Sequence, residues 1–147
     1  MSVREIAESF TKAMNSGDWE KVESFLSEDF KFMGPVPEPM SGKQWVRLSK
    51  SMLRAFPDIQ YHFRIDSIEG DVVRTTTRLT GTHTGGLDLT AMGLGVIPAT
   101  GISFSNPEEE GEAVVKGDKV VSLHVKSVEG SGLMGILQKI GVEVPVK

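Results

Sequence analysis

The spacing of apolar residues changes from helical to alternating at Ile59, and this change limits the folds open to the chain. Before it, apolar residues recur at intervals of three to four; after it, Ile59, Tyr61, Phe63 and Ile65 alternate with polar residues. The first pattern is typical of amphipathic helices and the second of a half-buried strand. Because helices precede strands and no β-α-β rhythm repeats, the sequence predicts an α+β fold, with residues 1–147 as a single domain.

Three helices are predicted before the change of period. Ser2 with Glu5, and Ser41 with Gln44, have the spacing of a capping box, in which the side chains of the first and fourth residues bond to each other's backbone N–H. Asp18 can cap a second helix between these two. We therefore expect three N-terminal helices packed on a sheet.

The strands follow as an antiparallel series, with a short helix behind them. A short strand at 30–33 precedes the third helix. The apolar residues of the Gly-rich segment at 85–98 suit either a plain core or a lid over an apolar ligand. Pro107 should bend its strand or place it at an edge. The last predicted helix ends at Gly141. The predicted strands are 59–65, 72–84, 100–115 and 119–127.

Charge and residue usage exclude several classes of function. The net charge of −4 gives a nucleic-acid backbone no attractive field. The chain has no cysteine, and its three histidines lie on separate strands without the spacing of metal ligands. Gly93-Leu94-Gly95 lacks the strand and helix that flank a dinucleotide-binding loop. We predict no cofactor, no metal and no nucleic acid.

The N-terminal segment also bears on location. It carries charges within its first five residues and no apolar run ahead of a cleavage site, so it does not have the pattern of a signal peptide. No stretch approaches the ~20 apolar residues of a membrane span. A cytoplasmic protein that does not contact membranes is the prediction.

Four short motifs occur in an order that resembles a known family. They are Phe56-Pro57-Asp58, Gly81-Thr82-His83-Thr84-Gly85, Pro98-Ala99-Thr100-Gly101, and the closing run from Gly132 to Val142. Together they resemble the SnoaL-like polyketide cyclase (ester cyclase) family. The resemblance implies the cone-shaped fold of the nuclear transport factor 2-like superfamily. In that fold a curved antiparallel sheet wraps on N-terminal helices around a pocket, and the protein is usually a homodimer.

The chain departs from that family at the residue that matters most for catalysis. In the cyclases an Asp near the end of the last long strand is the general acid/base for an intramolecular aldol ring closure. The resemblance places Val128 at that position, and Glu129 is one residue off, on the opposite face of a strand. The usual acid/base is therefore predicted to be missing.

Two histidines are the candidate catalytic residues. His83 shares the parity of Val73 and Leu79, so it should point inward. Alternation puts His124 on a solvated face, opposite Val121, Leu123 and Val125, whereas the family's register turns it into the pocket and makes that apolar side a dimer surface. Both orientations stay open at this point.

The predicted ligand pocket is apolar. Its lining comes from the third helix, the strand ends and the Gly-rich segment: Phe32, Met40, Trp45, Met52, Leu79, His83, Leu87 and Met92. The acidic run of Glu108, Glu109, Glu110 and Glu112 is interpreted as a solvated edge, with a raised carboxyl pKa expected only if one member is buried.

Two main classes of function remain. One is a cyclase-like enzyme that uses His83, and His124 if it faces the pocket, for proton transfer on an apolar small molecule. The other is a non-catalytic binding protein for an apolar ligand on the same fold. A purely structural dimerisation module is the weakest alternative, because it has no use for an apolar lid.

Overall fold

The computed structural model describes residues 2–34, 38–90 and 95–142, and three of its four helices lie within residues 3–55. They are α1 (Val3–Ser16), α2 (Trp19–Phe25) and α3 (Gly42–Ala55), and α4 (Gly132–Lys139) closes the described chain. Both predicted capping boxes are confirmed, since the hydroxyls of Ser2 and Ser41 accept backbone N–H groups three residues on. α1 and α3 therefore start where the sequence predicts.

The strands of the described chain are β1 (Leu26–Met33), β2 (Met40–Ser41), β3 (Arg64–Glu69), β4 (Val72–Thr77), β5 (Thr80–Thr82), β6 (Leu87–Asp88), β7 (Val96–Ile97), β8 (Ser103–Ser105), β9 (Glu109–Lys116) and β10 (Lys119–Val125). Six of them form the main sheet, in the order β2-β1-β10-β9-β4-β3. All neighbouring strands in it are antiparallel except β1 and β10, which run parallel. β5 with β8, and β6 with β7, form two separate short pairs. The predicted α+β class, with a curved and mainly antiparallel sheet, is confirmed.

The prediction of a strand over 59–65 is wrong for most of its length. β3 begins at Arg64, and the preceding residues form only an isolated bridge between Gln60 and Thr80. The Asn15 side chain bonds both backbone groups of Phe63, at 2.8 and 2.9 Å, and His62 has a φ of 46°. These contacts replace the strand ladder, although Ile59 and Phe63 still bury their side chains as the alternation predicts.

Pro107 divides the predicted strand 100–115 into β8 and β9. A proline cannot donate to a ladder, so pairing stops beside it. The interruption lets β8 leave the main sheet and pair with β5, while β9 pairs with β4 and β10. As a consequence β9 starts at Glu109, near the end of the sheet that α4 covers.

Two apolar clusters hold the helices against the strands. The larger one packs α1 and α2 on the main sheet. Within it Trp45 stacks on Phe32 at 5.2 Å between ring centres and on Phe30 at 5.4 Å, and Trp19 meets it edge-on. The second cluster joins α3 and α4 to the short strands. A space remains where the two clusters meet, next to Trp45.

The face of β10 that points inward is the apolar one. Leu123 and Val125 are buried, whereas His124 is exposed on the other face. A bulge in the pairing of β10 with β9, between Val120 and Ser122, sets this register. The register inferred from the family resemblance, with His124 inside, is not the one that the structure has.

Candidate functional site

A cavity lies between α3, α4 and the inner face of the main sheet. Its volume is about 100 Å³, and it is partly open to solvent. Every helix except α2 contributes to its wall, as do four strands of the main sheet and the segment ahead of β3. The lining residues are Met14, Phe32, Trp45, Leu48, Ser49, Met52, Tyr61, Phe63, Thr77, Leu79, Glu109, Leu123, Val125, Gly132, Leu133 and Ile136.

Glu109 is the ionisable carboxyl group of this apolar wall. It is only 2% exposed. Burial raises the pKa of the Glu109 carboxyl, and contacts with the Gly132 backbone and the Ser131 hydroxyl act in the opposite direction. A buried carboxyl with raised proton affinity, in a cavity, is typical of a group that transfers protons.

Glu109 also meets the start of α4. Ser131, the N-cap residue of that helix, makes no side-chain capping bond, because its hydroxyl donates to the Val128 carbonyl at 2.6 Å. The Gly132 backbone, at this end of the helix, lowers the pKa of the Glu109 carboxyl, although burial outweighs it. A negative charge at a helix N-terminus is stabilised by the backbone N–H groups there.

The acidic run divides between the two faces of the chain. Glu108 pairs with Arg64 at 2.9 Å and Glu112 pairs with Arg74 at 2.9 Å, all on the exposed side. Glu110 is exposed as well. The interpretation as a solvated edge therefore holds for three carboxylates and is wrong for Glu109. The alternation of the strand could have identified Glu109 as inward-facing, since Glu109 has the same parity as the buried Ala113 and Val115 of β9.

Three hydroxyl-bearing residues share the cavity with Glu109. Thr77 lies directly opposite Glu109 on β4, and its hydroxyl donates to the Tyr61 carbonyl at 2.6 Å. Ser49 and Tyr61 both line the cavity, and the Ser49 side chain acts to lower the pKa of the Tyr61 phenol, against the larger effect of burial. Burial raises the pKa of Tyr61 well above its usual range, so the phenol keeps its proton. Sequence reasoning placed none of these residues in the site.

The predicted pocket residues are distributed over several places in the structure. Phe32, Trp45, Met52 and Leu79 line the cavity. Met40 lies outside it, in a groove between α3 and the turn after β6, and Leu87 is fully buried in the second apolar cluster. Met92 lies outside the described residues.

His83 lies in the second cluster and is not part of the cavity wall. It is 0% exposed, and its ring lies 5.1 Å from that of Phe56. The Thr100 backbone N–H donates to Nδ1 at 3.2 Å, so the ring is neutral, with its proton on Nε2. Nε2 has no hydrogen-bond partner in the described part of the chain. His83 thus ties the turn before β8 to the end of β5.

We expect His83 to make folding stability depend on pH. Burial lowers the pKa of His83 below its usual 6.5, with the Gly85 backbone acting in the opposite direction. A depressed histidine pKa contributes stability above pH 6.5 that is lost as the pH falls through the folded-state value. Urea unfolding at pH 7.5 and pH 5.0 should show a smaller loss of stability on acidification for His83→Leu than for wild type. The matched control is His124→Leu at an exposed position, and an equal change in slope in both variants would contradict the assignment.

His124 lies on the face of the sheet opposite the cavity. Its neighbours in a broad, open depression there are charged: Arg74, Glu112 and Lys126. Leu123 and Val125, on either side of it in the chain, line the cavity instead. The two candidate histidines are therefore not brought together, and neither reaches the cavity that holds Glu109.

Val128, at the position of the family's usual Asp, is 38% exposed beyond the end of β10. It contributes no ionisable group, and its backbone N–H and carbonyl are both bonded to Ser131. Glu109 approaches the same short segment from β9, through Ser131 and Gly132. A carboxyl group is thus present near the end of β10, but it comes from a different strand.

Within residues 2–34, 38–90 and 95–142, no three side chains of His, Asp or Glu come together as metal ligands would. In the same part of the chain, no helix has the length and apolar character needed to cross a membrane.

Several solved structures share the fold of this chain. A candidate polyketide cyclase from Xanthomonas campestris superposes with a TM-score of 0.71 at 15% identity, covering 95% of this chain and 96% of that one. AclR, a candidate hydroxylase from Streptomyces galilaeus, gives 0.69 at 22% identity, with 95% of each chain covered. A protein with a ketosteroid isomerase-like fold from Catenulispora acidiphila gives 0.65 at 12% identity, covering 95% and 94%. The chain has the nuclear transport factor 2-like fold.

The family follows from the sequence profile of the SnoaL-like polyketide cyclases, which matches residues 4–106. The chain belongs to this family. The match ends three residues before Glu109. No curated protein sequence matches the chain.

Proposed function

We propose that the chain binds a small apolar carbonyl compound in the cavity and that Glu109 transfers a proton at the carbon next to the carbonyl. Such a step begins an aldol ring closure, the reaction associated with the family. The observation that carries the proposal is the nearly complete burial of Glu109 among the apolar side chains of the cavity. This role replaces the proton transfer that the sequence analysis gave to His83 and His124.

The surroundings of Glu109 suit a general base. An apolar wall disfavours the charged carboxylate, so burial raises the pKa of the Glu109 carboxyl above its ordinary value. A base is most effective when its pKa is close to the working pH. The contact with Gly132 keeps the carboxylate populated and oriented. A single carboxyl can therefore take a proton from carbon and return it.

The size of the cavity limits the ligand. Its volume of about 100 Å³ is smaller than the roughly 150 Å³ of an engineered apolar cavity that holds benzene. A one-ring compound that uses the open side fits this space. A larger, multi-ring substrate requires the cavity to expand, and we expect α4 to move, since Leu133 and Ile136 form that wall.

A non-catalytic binding protein is the second candidate, and one observation favours it. The Glu109 carboxylate contacts the first turn of α4 where the N-cap side chain does not. A carboxylate that serves only as a helix cap needs no ligand and performs no chemistry. The cavity would then bind an apolar molecule without changing it.

Exchange of acidic C–H protons distinguishes the two functions without knowledge of the natural substrate. Acetophenone carries an enolisable methyl group, and α-methylstyrene has the same shape with a CH₂ group in place of the oxygen. We expect both to bind, and we expect the protein to accelerate exchange of the acetophenone methyl protons in D₂O, followed by NMR, with saturation at high ketone concentration. Binding of both without accelerated exchange would identify a binding protein. Failure of both to bind would remove the proposed site.

Homodimerisation is a further proposal, but its interface cannot be the apolar side of β10 that the family resemblance implied. The apolar side of β10 faces the cavity, so it is unavailable to a second subunit. The outer face of the sheet carries charged residues, including the ion pair of Arg74 with Glu112. A dimer that uses this face would have a polar interface that weakens with salt.

A further inference from the structure

A second recess lies beside the cavity, in the groove between α3 and the turn after β6. Leu48 of α3 lines both the cavity and this groove, so its side chain is part of the boundary between the two spaces. The groove has a volume of about 570 Å³, which is within the usual range for the sites of small ligands. A ligand that extends past Leu48 can therefore occupy both spaces.

The groove differs from the cavity in the chemistry of its wall. Its α3 side presents Gln44, Arg47, Ser51 and Arg54, which recur at intervals of three and four and so share one face of the helix. Among residues 2–34, 38–90 and 95–142, the ion pairs involve Arg64 and Arg74, and none involves Arg47 or Arg54. Both guanidinium groups of the groove therefore keep most of their donors for a bound anion.

Arg54 is turned towards Arg47 by a contact within the helix. Its Nη2 donates to the Ser51 hydroxyl at 3.4 Å, so the guanidinium is directed back towards the N-terminus of α3. Ser51 is itself buried and lies about one turn after Arg47. The two guanidinium groups therefore flank the same part of the groove. Planar guanidinium groups bind carboxylates through paired, charge-assisted hydrogen bonds.

The charge of α3 also favours an anion at this place. The helix has four cationic residues, Lys43, Arg47, Lys50 and Arg54, and no acidic residue, although the chain as a whole has a net charge of −4. Their spacing of four, three and four residues puts them on one side of the helix, where like charges repel. An anion bound between the two arginines relieves part of this repulsion, while the lysines lie outside the lining of the groove.

The opposite wall limits the charge of the ligand. Asp88 lies there, and one of its carboxylate oxygens accepts both the backbone N–H and the hydroxyl of Thr90. These bonds fix the carboxylate but leave its negative charge in the groove. The charge opposes a dianion, such as a phosphate monoester, more strongly than it opposes a singly charged group. The groove is therefore better suited to a carboxylate than to a phosphate.

We propose that the groove is a subsite for a carboxylate, which Arg47 and Arg54 bind at the end of a chain that runs past Leu48 from an apolar group in the cavity. The inference rests on the proposed function for the position of the apolar group, and it adds an acidic terminus to the ligand. The ligand is then a one-ring compound with a carboxyalkyl chain. The arginines position this ligand and take no part in proton transfer.

Titration calorimetry with ω-phenylalkanoates, from 3-phenylpropanoate to 8-phenyloctanoate, tests the subsite, with the corresponding amides as neutral partners. We expect one chain length to bind best, and its carboxylate to bind about tenfold tighter than its amide, since a hydrogen bond to a charged group usually contributes at least that much. Arg47→Gln and Arg54→Gln should each remove most of this difference. Both arginines are exposed, so both variants should fold.

Lys43→Gln is the matched control, because it removes the same charge from the same side of α3 outside the lining of the groove. It should leave the ratio of carboxylate to amide affinity nearly unchanged. The position of the ring is measured separately by NMR. Ring protons of the best carboxylate should give NOE cross-peaks to the methyl groups of Leu133 and Ile136, which line the cavity.

The outcomes separate the subsite from the function on which it rests. Absence of binding, or equal affinity of carboxylate and amide at every length, overturns the subsite and leaves proton transfer by Glu109 to its own test. An equal effect of Lys43→Gln and Arg47→Gln also overturns it, because a general positive field then explains the binding. Ring cross-peaks that are missing, or tighter binding of the phenylalkyl phosphate of equal length, contradict the proposed ligand. Arginine-dependent binding without exchange of acetophenone protons supports the subsite and overturns only the proton transfer.

Discussion

Replacing Glu109 by glutamine is expected to slow methyl-proton exchange of acetophenone by about 10²–10⁴-fold, the usual contribution of a general acid/base. Glutamine has nearly the same shape and its carbonyl can still accept the Gly132 N–H, but it cannot take a proton. In wild type the rate should rise with pH through the Glu109 pKa, which burial places above 4.5. The variant should lack that rise. Rates measured by NMR between pH 4 and pH 8 give both results.

Glu110→Gln is the matched control, since Glu110 is the next residue of β9 and points to solvent. It removes the same charge from the chain and should leave exchange unchanged. Glu109→Gln should not lower the free energy of unfolding at neutral pH. A group whose folded-state pKa is raised contributes stability at low pH and loses it as the pH rises through that value. If the two variants exchange at the same rate, Glu109 is not the base.

Trp45→Ala is expected to reduce the free energy of unfolding by about 3–5 kcal/mol, the usual cost of deleting a large buried aromatic side chain. Trp45 is 5% exposed and stacks on Phe30 and Phe32. Its removal joins a new void to the existing cavity, so the surrounding rings lose contacts on two sides. Urea unfolding measures the loss, and acetophenone binding should weaken because one cavity wall is gone.

Arg47→Ala is the control for this prediction, because Arg47 lies two residues along α3 and is exposed. A surface change of this kind usually stays within about 0.5 kcal/mol. If Trp45→Ala reduces the free energy of unfolding as little as Arg47→Ala does, the ring stack around Trp45 does not stabilise the core. The position of the cavity beside it would then be in doubt.

Local sequence signals accounted for the helices and the class of fold. The capping boxes at Ser2 and Ser41 set where α1 and α3 begin, because a cap needs only residues three positions apart. Pro107 divided the predicted strand 100–115 because a proline has no backbone N–H to donate, which is also a local property. The strand predicted over 59–65 was wrong because Asn15, 48 residues away from Phe63 in the chain, takes the backbone groups that a ladder would need.

The candidate site depended on tertiary structure more than the helices and the class of fold did. The sequence by itself determined an α+β fold and the absence of an ionisable group at Val128, and it predicted an apolar pocket with Trp45 and Phe32 in its wall. Alternation can say that Glu109 and Ala113 share a face, but only the register of β9 against its neighbours and the position of α4 decide that this face is dry. His83 was expected in the pocket because it points inward, yet the chain has two apolar clusters, and inward direction alone does not choose between them. Burial and proximity depend on contacts between distant parts of the chain, so the acid/base candidate emerged only when the strands and α4 were assembled.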